Sequence, residues 1–135
     1  MAPILDSGAV AEGAMTPEVY RDEAMLATLE AGNSWTLLSD EGAPIACGGI
    51  MVWWQGRYLC WAYLNAGSGG YMVAITKMVK KILGKAGPGR YELVVKADFA
   101  AGHRWAKMLG FEVEAPVMAQ YGPNGEDCTG YVRIQ

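Results

Sequence analysis

The chain has 135 residues, a length that fits one domain and leaves no room for two full cores. Hydrophobic residues make up 52% and charged residues 19%, which excludes a disordered or highly charged chain. The net charge of −3 argues against a general nucleic-acid binder.

Cys47, Cys60 and Cys128 are widely spaced without a C-x-x-C pair, which predicts reduced thiols in a reducing compartment. His103 is the single histidine, so a multi-histidine metal site is excluded and no metal is expected. No apolar run approaches the ~20 residues of a membrane helix. Met1 to Met15 lacks the basic start and long apolar middle of a signal peptide. The expectation is a cytoplasmic domain that binds neither membrane nor nucleic acid.

Residues 1–15 are small and apolar, and read as an arm or a short first strand around Ile4 and Leu5. Thr16-Pro17-Glu18 is a helix start, and the helix should run through Leu29 to a stop at Gly32. Ser34–Ser39 and Pro44–Trp53 flank the polar turn Asp40-Glu41-Gly42 as a hairpin. Arg57–Leu64 is nearly all apolar, as expected for a third antiparallel strand covered on both faces. Adjacent Trp53 and Trp54 should point to opposite faces, one toward a helix layer and the other outward as a partner surface.

Asn65-Ala66-Gly67-Ser68-Gly69-Gly70 breaks that strand and opens a helix with Met72, Ile75, Val79, Ile82 and Leu83 on one stripe. Lys77, Lys80, Lys81 and Lys85 occupy its solvated side, and Gly87-Pro88-Gly89 ends it. Arg90–Ala97 alternates as a strand. Asp98 can cap a short helix from Phe99 to Leu109, stopped by Gly110. Phe111 to Gln135 reads as two strands joined through Tyr121-Gly122-Pro123-Asn124-Gly125-Glu126.

The strand, glycine-rich turn and helix at 57–83 form the most informative unit. A glycine-rich turn at a helix N-terminus exposes unpaired amides and the positive end of a dipole, which suits phosphate oxygens. It lacks the Gly-Lys-Ser/Thr of a Walker loop and the third glycine of a dinucleotide fingerprint. Ala66 to Gly70 also reads A-x-S-x-G, and Ser68, Asp98 and His103 follow in hydrolase order. The chain is too short for that fold, and a serine hydrolase stays a remote alternative.

The order of elements over 16–135, together with Arg104-Trp105-Ala106-Lys107-Met108-Leu109-Gly110-Phe111, resembles the GNAT superfamily of acyl-CoA-dependent N-acetyltransferases. The resemblance implies an α/β (α+β) domain: a mixed, mostly antiparallel central sheet flanked by helices. Within the superfamily the chain looks most similar to the small GNAT-like proteins of tailed phages. These share an Arg-aromatic helix leading to a glycine and a Tyr-x-x-x-Gly hairpin, here Tyr121 to Gly125.

The same resemblance implies a cofactor site. The loop after the third strand would hold the CoA pyrophosphate through Leu64, Asn65, Gly67, Ser68, Gly69 and Gly70, while two splayed parallel strands admit the pantetheine arm. Leu64 stands where the family has Arg or Gln, Phe99 where it has Asn, and Ala106 where a Tyr often protonates the leaving thiolate. The chemistry needs a base for the amine and a proton source for the thiolate. Asp98, Tyr121, Tyr63 and His103 are the candidates for these roles, each with an ordinary structural role to weigh against it.

The three losses, the apolar arm and the tryptophans favour a virion-associated or assembly component with weak or no catalysis. Its partners would be virion or assembly proteins or a second copy, its place the cytoplasm of a bacterial host or a phage particle, and it would require no cofactor. The alternative is an acyl-CoA-dependent N-acetyltransferase acting on an amine of a small molecule or protein, with acetyl-CoA as co-substrate.

Overall fold

The structure, a computed structural model, describes residues 33–64 and 66–135. The expected arm over 1–15 and the first helix from Thr16 to Leu29 lie outside the described residues. Eight regular elements follow in order: β1 (Asn33–Leu38), β2 (Pro44–Trp54), β3 (Arg57–Leu64), α1 (Met72–Lys85), β4 (Arg90–Lys96), α2 (Ala100–Met108), β5 (Glu112–Met118) and β6 (Cys128–Ile134). A 3-10 turn over Ala66–Tyr71 leads into α1. Over the described residues the expected elements are present within a residue or two at each end.

The turns form where the sequence supplies backbone freedom. Gly42 closes the β1–β2 turn at φ 84, its N–H donating to the Ser39 carbonyl at 2.9 Å. Gly56, at φ 94, completes the two-residue β2–β3 connection. Both are left-handed positions that favour glycine.

Among the described residues the strands make one six-stranded sheet in the order β1-β2-β3-β4-β6-β5. All neighbours run antiparallel except β3 and β4, which are parallel and joined through the α1 crossover. The mixed, mostly antiparallel sheet with flanking helices is the fold class expected. The last hairpin inserts β6 between β4 and the edge strand β5.

The core lies where both helices meet one face of the sheet. Leu83 of α1 and Ala106 of α2 pack with Leu109 and Phe111 against Tyr91, Val95 and Tyr131. Tyr91 and Val95 are four residues apart on β4, and Tyr131 pairs with Leu93, so all share that face. On α1 the apolar stripe sinks Ile75 and Leu83, while Lys77, Lys80, Lys81 and Lys85 are exposed as expected. Alternation sends Arg90 and Glu92 to the opposite face.

Three expectations are corrected. Asp98 does not cap α2: Phe99 occupies the N-cap with no side-chain hydrogen bond, and Asp98 is exposed with its carboxylate 3.7 Å from the Lys96 ammonium. An acid next to a lysine in an exposed turn gains more from water and that cation than from the helix start. β3 is half-buried along most of its length, with Tyr63 alone fully buried, because its first residues adjoin the exposed Trp53–Trp54 turn and its later ones border an opening in the sheet. Trp53 and Trp54 are both exposed, at 51% and 60%, and both rings lie near the Arg57 guanidinium, 5.8 and 4.8 Å from centroid to Cζ. A register shift between Val52 and Trp54 breaks the simple alternation.

Candidate functional site

β3 and β4 are zipped at one end and parted at the other. Their pairing covers Arg57–Arg90, Tyr58–Tyr91 and Leu59–Glu92 and then stops. Each strand nevertheless continues in register with its outer neighbour, β3 to Leu64 opposite Ala46 and β4 to Lys96 opposite Cys128. From Cys60 and Leu93 onward, therefore, the two strands do not pair with each other. Facing edges of this kind carry N–H and C=O groups that need hydrogen bonds from elsewhere in the chain, from water or from a bound molecule.

The zipped end has identifiable fasteners. The Tyr58 and Tyr91 rings stack with centroids 4.8 Å apart. On the other face Glu92 accepts hydrogen bonds from the Arg57 guanidinium and lies 3.3 Å from Nε of Arg90, which in turn grips Glu114 of β5. The Arg57 hydrogen bond, opposed by partial burial, holds the Glu92 carboxyl below its usual range.

At the parted end a cavity of about 210 Å³ runs through the gap, lined from the two helices on one face and by Trp61, Val94 and Lys96, which alternation places on the other. α1 contributes Val79, Ile82 and Leu83, and α2 contributes Trp105 and Ala106. Nε1 of Trp105 donates to Thr76 Oγ1 at 2.9 Å, tying α2 to α1 beside the cavity. The Trp61 indole N–H is buried with no hydrogen-bond partner among the described residues. Burial pushes the Cys60 thiol in the wall up to about 12, against a smaller opposing effect of Arg133, so it stays protonated at neutral pH. Lys96 stands among the lining residues as a charged group.

Of the residues expected to hold a cofactor, Leu64 lines the cavity. Gly69 and Gly70 are exposed in the 3-10 turn, with open space where a side chain would project. Asn65 lies outside the described residues, as do the side-chain surroundings of Gly67 and Ser68. The first turn of α1 has no acidic residue and its N-cap, Tyr71, makes no side-chain cap, so no side chain there competes for the leading amides. Phe99 and Ala106 line the same cavity as Leu64. The three apolar replacements singled out from the sequence are thus neighbours around one cavity.

The catalytic candidates are not brought together. His103 does not line the cavity: its Nε2–H donates to the Ala97 carbonyl at 2.9 Å, which leaves Nδ1 to accept from the Tyr131 hydroxyl at 2.6 Å. Tyr63 is buried beside Trp61, ring centroids 5.5 Å apart, and Tyr121 is exposed in the β5–β6 loop. Asp98 pairs with Lys96 and makes no bond to His103, whose two nitrogens are both engaged elsewhere; the hydrolase triad is not assembled. Among the described residues no group of three or more His, Cys, Asp or Glu side chains could hold a metal. No helix among them is long and apolar enough to cross a membrane.

Sequence reasoning missed three features of the site. Trp61 stood out only as one of the tryptophans weighed between core coverage and a partner surface, not as part of a cleft. Thr76 carried a weak signal, being a hydroxyl on the buried flank of an amphipathic helix. Its partner Trp105 belonged to a quoted motif, but nothing in that motif places an indole N–H against another helix.

No protein-family model matches the sequence, and no curated protein sequence matches it. Solved structures do. The ribosomal-protein-S18-alanine N-acetyltransferase from Escherichia coli superposes with a TM-score of 0.64 at 20% identity, covering 78% of this chain and 70% of that one. A GNAT superfamily phosphinothricin acetyltransferase from Sinorhizobium meliloti, solved in complex with acetyl-CoA, gives 0.63 at 17% identity, covering 88% and 71%. A spermidine N-acetyltransferase mutant from Vibrio cholerae gives 0.62 at 9% identity, covering 75% and 64%. The chain thus spans about two-thirds of the length of these structures, and what it shares with them is the fold.

Proposed function

Starting from the GNAT fold that those structures share with this chain, we propose that the protein is an acyl-CoA-dependent N-acetyltransferase acting on an amine of a small molecule or protein. The observation that carries the proposal is the parting of β3 and β4 beyond Leu59 and Glu92 beside the start of α1. Where β3 and β4 stop pairing with each other, backbone groups on the facing edges can hydrogen-bond the amides of a pantetheine arm. The leading amides of the 3-10 turn and α1, with the positive end of the helix dipole, can receive a pyrophosphate. Gly69 and Gly70 leave room for it.

A bound acyl-CoA supplies the thioester: the amine nitrogen attacks its carbonyl carbon, the C–N bond forms as the C–S bond breaks, and the amine proton passes to solvent while the thiolate takes one up. The chain's residues contribute binding, orientation and exclusion of water around the apolar wall. Among the described residues no carboxylate lines the cavity, and the Cys60 thiol is protonated there. The amine attacks in its neutral form, so turnover should rise with pH through the amine's own titration.

Titration of the full chain with acetyl-CoA, followed by heat, tests this. Micromolar binding is expected, and Gly69→Glu should weaken it by about tenfold or more while thermal unfolding stays unchanged. No binding at millimolar ligand overturns the proposal. A second reading, a virion or assembly component of the same fold with little catalysis, is favoured by the apolar residues Leu64, Phe99 and Ala106 at the site. It predicts that failure.

A further inference from the structure

We propose that His103 is the positioning residue of the open end of the cleft. Through its two ring nitrogens it fixes the residue that follows β4 to α2 and β6, and so holds one edge of the gap in place. The proposal rests on the acyl-CoA reading above and concerns a side chain that does not line the cavity.

The ladder between β4 and β6 shows what the imidazole adds. Gly89 and Gln135 exchange both backbone hydrogen bonds, at 2.9 and 3.1 Å, and the pairing then runs without a register shift to Lys96 opposite Cys128. Alternation therefore turns the backbone polar groups of Tyr91, Leu93, Val95 and Ala97 toward β6, and those of Arg90, Glu92, Val94 and Lys96 toward β3. In keeping with this, the Arg90 N–H donates to the Gly56 carbonyl at 2.8 Å. At the open end the Ala97 N–H reaches the Asp127 carbonyl at 2.9 Å, while its own carbonyl receives the Nε2–H of His103 at 2.9 Å. A side chain of α2 thus supplies the last rung of the outer ladder.

The rung is held from behind. Nδ1 accepts the hydroxyl of Tyr131, a residue of β6 only 2% exposed, at 2.6 Å, so the ring cannot turn without losing both bonds. The start of α2 lies directly on β4 here, since a Cβ at Gly102 would come within 2.8 Å of Cγ1 of Val95. β3 and β4 would gain hydrogen bonds by closing on each other, and an outer edge tied in this way opposes that movement. A ligand bridging the two edges needs its partners placed within about 0.5 Å. A slack end of β4 therefore costs affinity although no imidazole atom touches the ligand.

The test is titration of the full chain and its variants with acetyl-CoA, read well below each unfolding temperature. His103→Ala should weaken binding by at least about tenfold. His103→Gln, whose carboxamide offers one donor and one acceptor, should stay within about threefold of wild type. That rescue separates hydrogen-bonded positioning from mere filling of space. Wild-type affinity in His103→Ala, or equal losses in the Ala and Gln variants, overturns this inference and leaves the acyl-CoA reading standing. No binding by the wild type overturns both. Should His103→Ala fail to fold, Tyr131→Phe decides, because it keeps the ring and removes only the partner of Nδ1: weakened binding is expected, and unchanged affinity refutes the tie.

Discussion

The two ends of the β3–β4 pair share the same strands and differ in what lies across from each backbone. At Arg57–Leu59 the strands are hydrogen-bonded, stacked through Tyr58 and Tyr91 on one face and laced by Glu92 and its arginines on the other. Beyond Cys60 they separate, and apolar side chains from two helices surround the space that opens. The closed end fixes the geometry from which the open end diverges. The site is thus built by withholding strand pairing on one side of a seam that is reinforced on the other.

The largest effect is expected from Tyr91→Ala at the closed end. Tyr91 is fully buried, stacks on Tyr58 and donates its hydroxyl to the Gly87 carbonyl at 2.9 Å. Its truncation should cost about 3–5 kcal/mol in urea unfolding. A loss below about 1 kcal/mol would show that the stack is not what anchors the seam.

At the open end, Trp105→Phe keeps an aromatic ring but deletes the hydrogen bond to Thr76, leaving a hydroxyl within a buried flank. The cost should be about 1 kcal/mol, with altered acyl-CoA affinity at unchanged fold. An unchanged affinity would detach this helix-to-helix tie from the cleft.

The smallest effect belongs to the charged face. The folded-state pKa of Glu92 is depressed, so its ionised form contributes stability above the ordinary carboxylate range, and that contribution is lost as pH falls through the folded value. Glu92→Gln should lower the melting temperature by roughly 2–4 °C at pH 7 and have little effect in strong acid. A difference that persists in acid would mean the substitution acts through packing rather than charge.

Much of this was legible in the chain. The hairpin at Asp40–Gly42, the strand over Arg57–Leu64, the amphipathic stripe of α1 and the final hairpin each rest on local chemistry: turn glycines and a two- or 3.6-residue period. The site was legible only in outline. Gly69, Gly70, Leu64, Phe99 and Ala106 were all singled out, but as separate positions in a motif; the meeting of the last three around one cavity depends on a crossover and a packed pair of helices. Asp98 and the Trp53–Trp54 pair misled because capping and alternation are local rules. Here a neighbouring lysine and a register shift overrode them.

By itself the sequence determined the order and kind of elements over the described residues, and with them the mixed sheet, since periodicity and turn residues act over a few positions along the chain. Only the tertiary structure decided where β3 and β4 part, which side chains surround the gap, and that Trp105 ties α2 to α1 beside it. Those features arise between segments far apart in sequence, where burial and pairing are competed for by the whole fold rather than specified by any one stretch of it.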